Sequence, residues 1–211
     1  MMYSQRLRRR GGRKVKRSRR RYRTYSRRGP WLLSDWLILA LAALLVAILL
    51  WLALEPREEG GRYAVVGQPS VSADFIDQVL SAYGSPAAGK GKALYADGLA
   101  YRIDPVYALA FFLEESRFGT AGVARVTHSL GNIRALAGQA SYAGYRRYAT
   151  WEEGFTDWYR LIAEEYVARG LVTVDQIVPV YAPAADGNDV AAYVRTVKLA
   201  VDSWRAGKVL V

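Results

Sequence analysis

The sequence predicts a mostly α-helical domain with a small loop or hairpin lobe, placed behind one transmembrane helix. Three observations support this fold class. Apolar residues recur at helical spacing through most of the chain after residue 72, capping residues precede these segments, and no segment has the alternation of a strand. This part of the chain has roughly 140 residues, enough for one hydrophobic core.

The positive charge of the chain is concentrated at its N-terminus. Residues 1–30 hold 14 of the 30 lysines and arginines and no acidic residue, so the remaining sequence is close to neutral although the net charge is +11. Such a segment cannot bury apolar surface, and we expect a disordered basic tail. Its tyrosines could stack on the bases of a nucleic acid. The apolar run that follows favours anionic lipid headgroups as partners instead, and argues against nucleic acid.

An unbroken apolar run extends from Trp36 to Leu54 and predicts a transmembrane helix over residues 31–54. At about 1.5 Å per residue the run reaches roughly 28 Å, close to the hydrocarbon thickness of a bilayer. It is long for a cleaved signal peptide and no clear cleavage site follows it. The basic tail then predicts a single-pass protein of the cell membrane, with a cytoplasmic N-terminus and an extracytoplasmic domain. Residues 55–71 are rich in glycine, proline and charge and predict a linker.

Helices are predicted through residues 72–207, each with its own start signal. Ser72 can cap a helix to about Tyr83, and a second helix follows from about Lys90 to Tyr101. Asp104 and Pro105 begin a third, which Gly119 ends. Residues 119–149 have no clean period and predict loops with a short hairpin.

The last three helices are predicted in the same way. Thr150 and Glu153 form a capping box for a helix to about residue 168, which gives Glu153 a structural role. Another helix spans about 174–180. Asn188 can cap the last helix, whose apolar period continues to about Arg205.

The helix that begins at Asp104 carries the main candidate for chemistry. Glu115 falls on the same apolar stripe as Phe111 and Phe112, so its carboxyl group should be partly desolvated. Desolvation raises the pKa of a carboxyl group, which is what a general acid needs near neutral pH. The alternative is that Glu114 and Glu115 form a solvated pair at a helix end. The chain has no cysteine, which excludes thiolate chemistry and disulfides, and His128 is its only histidine, so no multi-histidine metal site is readily built.

Four motifs in order resemble the endo-β-N-acetylglucosaminidase family of bacterial autolysins, the flagellar-rod type of glucosaminidase. They are Glu115-Ser116-Arg117-Phe118-Gly119, Gly131-Asn132-Ile133-Arg134, the stretch from Tyr145-Arg146-Arg147-Tyr148 to Gly154, and Tyr181 to Asn188, with Tyr193 beyond them. The resemblance covers roughly residues 72–207 and implies a lysozyme-like fold. It implies a hydrolase that cleaves peptidoglycan glycan strands at N-acetylglucosaminyl β-1,4 bonds and that needs no metal or cofactor.

The resemblance also implies roles for particular residues. Glu115 matches the catalytic acid, and Tyr181 matches an active-site tyrosine that positions the N-acetyl group or stabilises charge. Ser116, Asn132, Tyr145 and Tyr148 are the candidate substrate-binding residues, although packing and turn formation are alternatives for Asn132 and the tyrosines.

One departure from the family pattern leaves the chemistry open. Residues 129–149 contain no Asp or Glu, whereas some members of the family carry a second carboxylate in this hairpin. Asp186 is a substitute, but Asp-Gly-Asn is also ordinary turn chemistry. A substrate acetamido group acting as nucleophile, a lytic transglycosylase or muramidase on the same fold, and a wall-binding domain without turnover therefore remain as alternatives.

Overall fold

The computed structural model describes residues 31–54 and 61–211, with side chains on the first helix from Trp36 to Ile48. The chain divides after residue 55 into two compact units, which are taken separately here. The predicted basic tail over residues 1–30, and with it the prediction of anionic lipid partners, lies outside the described residues.

The first unit contains helix α1, Trp31–Leu54. The prediction that α1 anchors a single-pass membrane protein is wrong. Among the residues that the structure describes, no helix is both long and apolar enough to cross a membrane. The localisation derived from that anchor is overturned with it.

The second unit is mostly helical, as predicted, and is consistent with a lysozyme-like domain. Its helices are α2 (Ala73–Ala82), α3 (Gly91–Tyr101), α4 (Pro105–Ser116), α5 (Ala124–Thr127), α6 (Trp151–Leu161), α7 (Val174–Tyr181) and α8 (Val190–Arg205). A π-helical turn, Ile162–Tyr166, and a 3-10 turn, Val167–Arg169, extend α6, and a second 3-10 turn covers Ala184–Asp186. The predicted hairpin is present as β1 (Ser141–Tyr142) and β2 (Tyr145–Arg146), antiparallel with Tyr142 opposite Tyr145.

The predicted helix starts are confirmed at three of four positions. Ser72 caps α2 by accepting from the Phe75 amide, and Thr150 caps α6 by accepting from the Glu153 amide. Asp104 caps α4 and accepts from the Val106 amide at 3.2 Å. Asn188 does not cap α8: Asp189 does, accepting from the Ala192 amide, because the helix begins one residue later than the sequence suggests.

Helix α4 forms the centre of the core. Its residues from Pro105 to Phe112 are all buried, and it packs along α8, while α2 packs on α3 and α3 on α6. Fully buried aromatic rings surround it, with Phe112 and Phe111 both in contact with Trp158. An α-helix apolar around its whole circumference must lie inside a domain, so the sequence of α4 explains its central position.

Helices α4 and α8 are joined near both ends. At the start of α4, the Asp104 carboxylate lies 3.0 Å from the Arg205 guanidinium at the end of α8. At the end of α4, the Tyr193 hydroxyl, near the start of α8, donates to Glu115 at 2.8 Å. The two helices are therefore antiparallel.

Ordered structure begins before residue 72, the predicted start of the domain. Val65 is buried, its amide donates to the Val172 carbonyl at 2.8 Å, and its carbonyl accepts from the Asp104 amide at 2.9 Å. Val71 is also buried in the core. Residues 61–71, predicted as part of a linker, thus pack against α4 and the segment before α7.

Candidate active site

The end of α4 brings its carboxylate to the surface. The helix stops at Ser116, and both Arg117 and Phe118 have left-handed backbones, with φ of 46° and 56°, before Gly119 at 81°. Ser116 is buried and fixes this turn: its hydroxyl donates to the Leu130 carbonyl and accepts from the Gly119 amide. This turn ends α4 where the buried face of the helix meets a cleft.

Glu115 is half-buried at this helix end. Its Oε1 accepts a hydrogen bond from the Tyr193 hydroxyl at 2.8 Å. Burial raises the pKa of Glu115 to about 7, against the lowering effects of the Tyr193 hydrogen bond and of the nearby Arg134 charge. A pKa raised this far keeps the protonated form of Glu115 populated near neutral pH. The neighbouring Glu114 is exposed, so the two carboxylates are not a solvated pair.

A cleft of about 370 Å³ opens over Glu115. Its walls come from the end of α4, the hairpin, the π-turn after α6, the end of α7 and the 3-10 turn before α8. The lining residues are Glu115, Asn132, Ile133, Arg134, Leu136, Tyr145, Arg146, Leu161, Tyr166, Tyr181, Ala182, Asp186 and Asn188. The cleft therefore combines a carboxyl group of raised pKa with aromatic and polar walls, the features expected of an active site.

Tyr181 lies in this cleft with its hydroxyl held in place. The hydroxyl donates to the Gly131 carbonyl at 2.8 Å and accepts from Trp158 Nε1 at 3.3 Å. Burial, and then the charge of Glu115, keep the pKa of Tyr181 well above its ordinary value, so it stays a neutral phenol. Its hydrogen and its acceptor position are therefore both engaged within the protein, the acceptor by the longer bond, from Trp158.

Asn132 and Tyr145 also line the cleft. Asn132 has a left-handed backbone, with φ of 45°, and its side-chain amide donates to the Glu115 carbonyl at 2.8 Å. It thereby connects the turn after α5 to the end of α4. Tyr145 is half-buried on β2, and the Arg134 guanidinium lies 4.7 Å from the centre of its ring.

Two predicted substrate-binding residues lie elsewhere. Ser116 is 1% exposed and bonds only to backbone groups of its own turn and of Leu130. Tyr148 is half-buried and donates to Asp157, which also pairs with Arg146 at 2.8 Å. Asp157 thus fastens the hairpin segment to α6. His128 lies outside the cleft, with Nδ1 at 3.0 Å from the Tyr148 carbonyl oxygen.

Tyr166 and Arg134 are cleft residues that were not predicted. Leu161 and Tyr166 both line the cleft although they are five residues apart. In an α-helix residues four apart share a face, whereas a π-turn, whose hydrogen bonds span five residues, aligns residues five apart. The π-turn at Ile162–Tyr166 therefore directs Tyr166 to the cleft, where its ring lies 6.0 Å from that of Tyr181. No feature of the sequence signals this turn.

A second carboxylate also lines the cleft. Asp186 lines it from the 3-10 turn Ala184–Asp186, which ends at Gly187 with φ of 84°. The turn that the Asp-Gly-Asn sequence predicts is thus present, and its first residue also reaches the cleft. Among the residues that the structure describes, Glu115 and Asp186 are the carboxylates that line this cleft.

Solved structures of S. aureus autolysin E are similar to this chain. One matches with a TM-score of 0.56 and 17% identity, over 69% of this chain and 71% of autolysin E. Its complex with the muropeptide NAM-L-Ala-D-iGlu matches at 0.54 and 16%, over 69% and 72%. A catalytic glutamate-to-alanine mutant in complex with the disaccharide NAG-NAM matches at 0.53 and 15%, over 71% and 76%. No protein family and no curated protein matches the chain by sequence.

These comparisons define the class of the fold. Over about 69% of its length the chain shares the fold of autolysin E, which supports the coarse prediction of a glucosaminidase-like fold. At 15–17% identity the likeness concerns the fold alone.

Proposed function

We propose that this protein is a glycoside hydrolase that cleaves the glycan strands of peptidoglycan at N-acetylglucosaminyl β-1,4 bonds. The observation that carries the proposal is Glu115, a carboxyl group with a pKa of about 7 that opens into a cleft. The fold supports the choice of substrate, because autolysin E binds a muropeptide and a NAG-NAM disaccharide in solved structures.

Glu115 is the general acid of the proposed reaction. In its protonated form it donates its proton to the glycosidic oxygen while positive charge develops on the sugar ring. The Tyr193 hydroxyl, 2.8 Å from Oε1, orients the carboxyl group in the cleft, and the proton would be donated from the other oxygen, Oε2. Once the proton has left, the same hydrogen bond stabilises the carboxylate.

Tyr181 acts on the substrate's acetamido group. Its hydroxyl hydrogen is donated to the Gly131 carbonyl, so a ligand N–H would have to replace the 3.3 Å bond that the oxygen accepts from Trp158 Nε1. An acetamido N–H fits this acceptor and would hold the acetamido oxygen near the sugar's anomeric carbon. Internal attack by that oxygen removes the need for a nucleophilic carboxylate on the hairpin.

Asp186 supports a second candidate mechanism, in which two carboxylates take part in catalysis. It lines the same cleft as Glu115, where a carboxylate could activate water as a general base. Substitution of Asp186 by Asn separates the two mechanisms, because only the two-carboxylate reaction depends on its charge.

The test is mass spectrometry of purified peptidoglycan after digestion by the full chain. Glu115→Gln keeps the size of the side chain but removes the proton donor, and we expect it to lower the rate by at least about 100-fold. Glu114→Gln is the matched control, because Glu114 is the exposed neighbour on the same helix. It should keep close to full activity.

The products identify the reaction. Reducing N-acetylglucosamine ends from the native chain would support the glucosaminidase. Anhydromuramic ends would instead identify a lytic transglycosylase, and reducing N-acetylmuramic ends a muramidase. Binding to the wall without any product from the folded native chain would contradict the enzyme and indicate a binding domain.

A further inference from the structure

The segment of residues 129–149, which includes the hairpin, contributes cations but no acidic residue to the wall of the cleft. Residues 129–149 include Arg134, Arg146 and Arg147 and no acidic residue. A wall of this kind attracts anionic ligands, but its three cations differ in what they already bind.

Arg146 and Arg147 do not offer their charge to the cleft. Arg146 lines the cleft, but its guanidinium is bound to Asp157, which also pairs with Arg160, and the Arg146 and Asp157 side chains are only 15% and 7% exposed. Arg147 is exposed and does not line the cleft.

Arg134 is the cation that faces the cleft. It is exposed, its guanidinium lies 4.7 Å from the centre of the Tyr145 ring, and it forms no ion pair with a carboxylate in the part of the chain that the structure describes. Stacking on an aromatic ring orients the planar guanidinium while its N–H groups stay available. This geometry suits bidentate recognition of a carboxylate.

We propose that Arg134, oriented by Tyr145, binds a carboxylate carried on the lactyl substituent of a muramyl residue beside the scissile bond. This inference rests on the proposed function and specifies its substrate. Two groups could supply this carboxylate. One is the free lactyl acid of a muramyl residue that carries no peptide. The other is a carboxylate of an attached peptide, whose first residue is amide-linked to the lactyl group. N-acetylglucosamine has no carboxylate, so Arg134 would select the orientation of an alternating strand in the cleft.

The experiment measures binding by calorimetry to the full chain carrying Glu115→Gln, which prevents turnover. The probes are the disaccharide GlcNAc-MurNAc, its peptide form GlcNAc-MurNAc-L-Ala-D-iGlu, and the methyl ester of each. We expect at least one acid to bind about tenfold more tightly than its ester, the usual effect of one charge-assisted hydrogen-bonded pair. The acid that shows the preference identifies the source of the carboxylate.

Second-site variants assign the preference to Arg134. Adding Arg134→Gln should reduce the affinity for the acid to that for its ester and leave the affinity for the ester unchanged. Arg134→Lys, which keeps the charge but not the planar fork, should retain part of the preference. Arg147→Gln is the matched control on the same hairpin and should retain all of it.

Equal affinities for acid and ester, a preference that survives Arg134→Gln, or no binding of any probe would each overturn the inference. These outcomes differ from failure of the proposed function, which is judged by the digestion products. A chain that cleaves peptidoglycan without a carboxylate preference keeps its function and loses this inference. A chain that shows the carboxylate preference but does not cleave peptidoglycan keeps the Arg134 site and loses the proposed function.

Discussion

At the scale of single residues, the bond between Tyr193 and Glu115 sets the protonation of the proposed acid. Tyr193→Phe removes the hydrogen bond to Oε1 but keeps the ring, which packs on Phe111. Since that bond lowers the pKa of Glu115, its loss should raise the pKa further. The reaction needs protonated Glu115, so activity falls as pH rises through this pKa, and the alkaline limb of the pH profile should move up by about one unit.

The measurement is the rate of peptidoglycan cleavage between pH 5 and pH 9. Tyr83→Phe serves as control, because the Tyr83 hydroxyl bonds to Val211 and does not line the cleft. An alkaline limb that stays in place in Tyr193→Phe, or moves to lower pH, would contradict the assignment of Glu115 as the acid that this hydroxyl tunes.

At the scale of elements, the start of α4 depends on Asp104. This carboxylate is 2% exposed and accepts from two backbone amides, those of Ser70 and Val106, besides its pair with Arg205. Asp104→Ala loses the cap and leaves a partly buried guanidinium unpaired, and should lower the free energy of unfolding by about 3 kcal/mol. Asp104→Asn, which can still cap the helix, should cost less.

Urea unfolding of the three proteins measures these differences. Asp189→Ala gives the comparison with an ordinary cap, because Asp189 is exposed and accepts from one amide, at the start of α8. Asp189→Ala should lower the free energy of unfolding by about 1 kcal/mol. Equal losses at positions 104 and 189 would show that the pair with Arg205 contributes nothing to stability.

At the scale of the whole molecule, the raised pKa of Glu115 makes stability depend on pH. Burial raises this pKa from 4.5 to about 7, so between these values the folded chain binds more protons than the unfolded chain. The free energy of unfolding must therefore fall as pH rises from about 4.5 to 7, by at most about 3 kcal/mol from this group. Glu115→Gln has no charge to bury, so its advantage over the native chain should appear above pH 5 and level off above pH 8.

Unfolding midpoints at pH 4 and pH 8 give this difference directly, with the exposed Glu114→Gln as control. A Glu115→Gln chain that is equally stabilised at both pH values would show that packing, and not ionisation, accounts for the change. The measurement does not depend on any substrate, so it tests the buried carboxyl group separately from the proposed reaction.

Local signals predicted the helices of the second unit well, because capping and apolar periodicity act over a few neighbouring residues. They found Ser72, Asp104 and Thr150 as caps, and the short hairpin between α5 and α6. They predicted Asn188 as the cap of α8 where Asp189 is the cap, because either of these two successive polar residues can cap a helix.

The cleft was predicted only in part, because its walls meet through contacts between distant segments. Glu115, Asn132, Tyr145 and Tyr181 do lie together there, and their roles stay predictions. Ser116 and Tyr148 looked equally suitable in sequence, but their hydroxyls are used by Leu130 and Asp157. Tyr166 could not be found, since helical periodicity assigns it to another face until the π-turn is known.

The antiparallel pair of α4 and α8 is attached at both ends, and this has a geometric consequence. From Asp104 to Glu115 the chain rises about 17 Å along α4, and from Tyr193 to Arg205 about 18 Å along α8, at 1.5 Å per residue. Both attachments can form together only because these lengths agree. The number of residues between Asp104 and Glu115 thus fixes how far the carboxyl group of Glu115 lies from the attachment at the other end of α4.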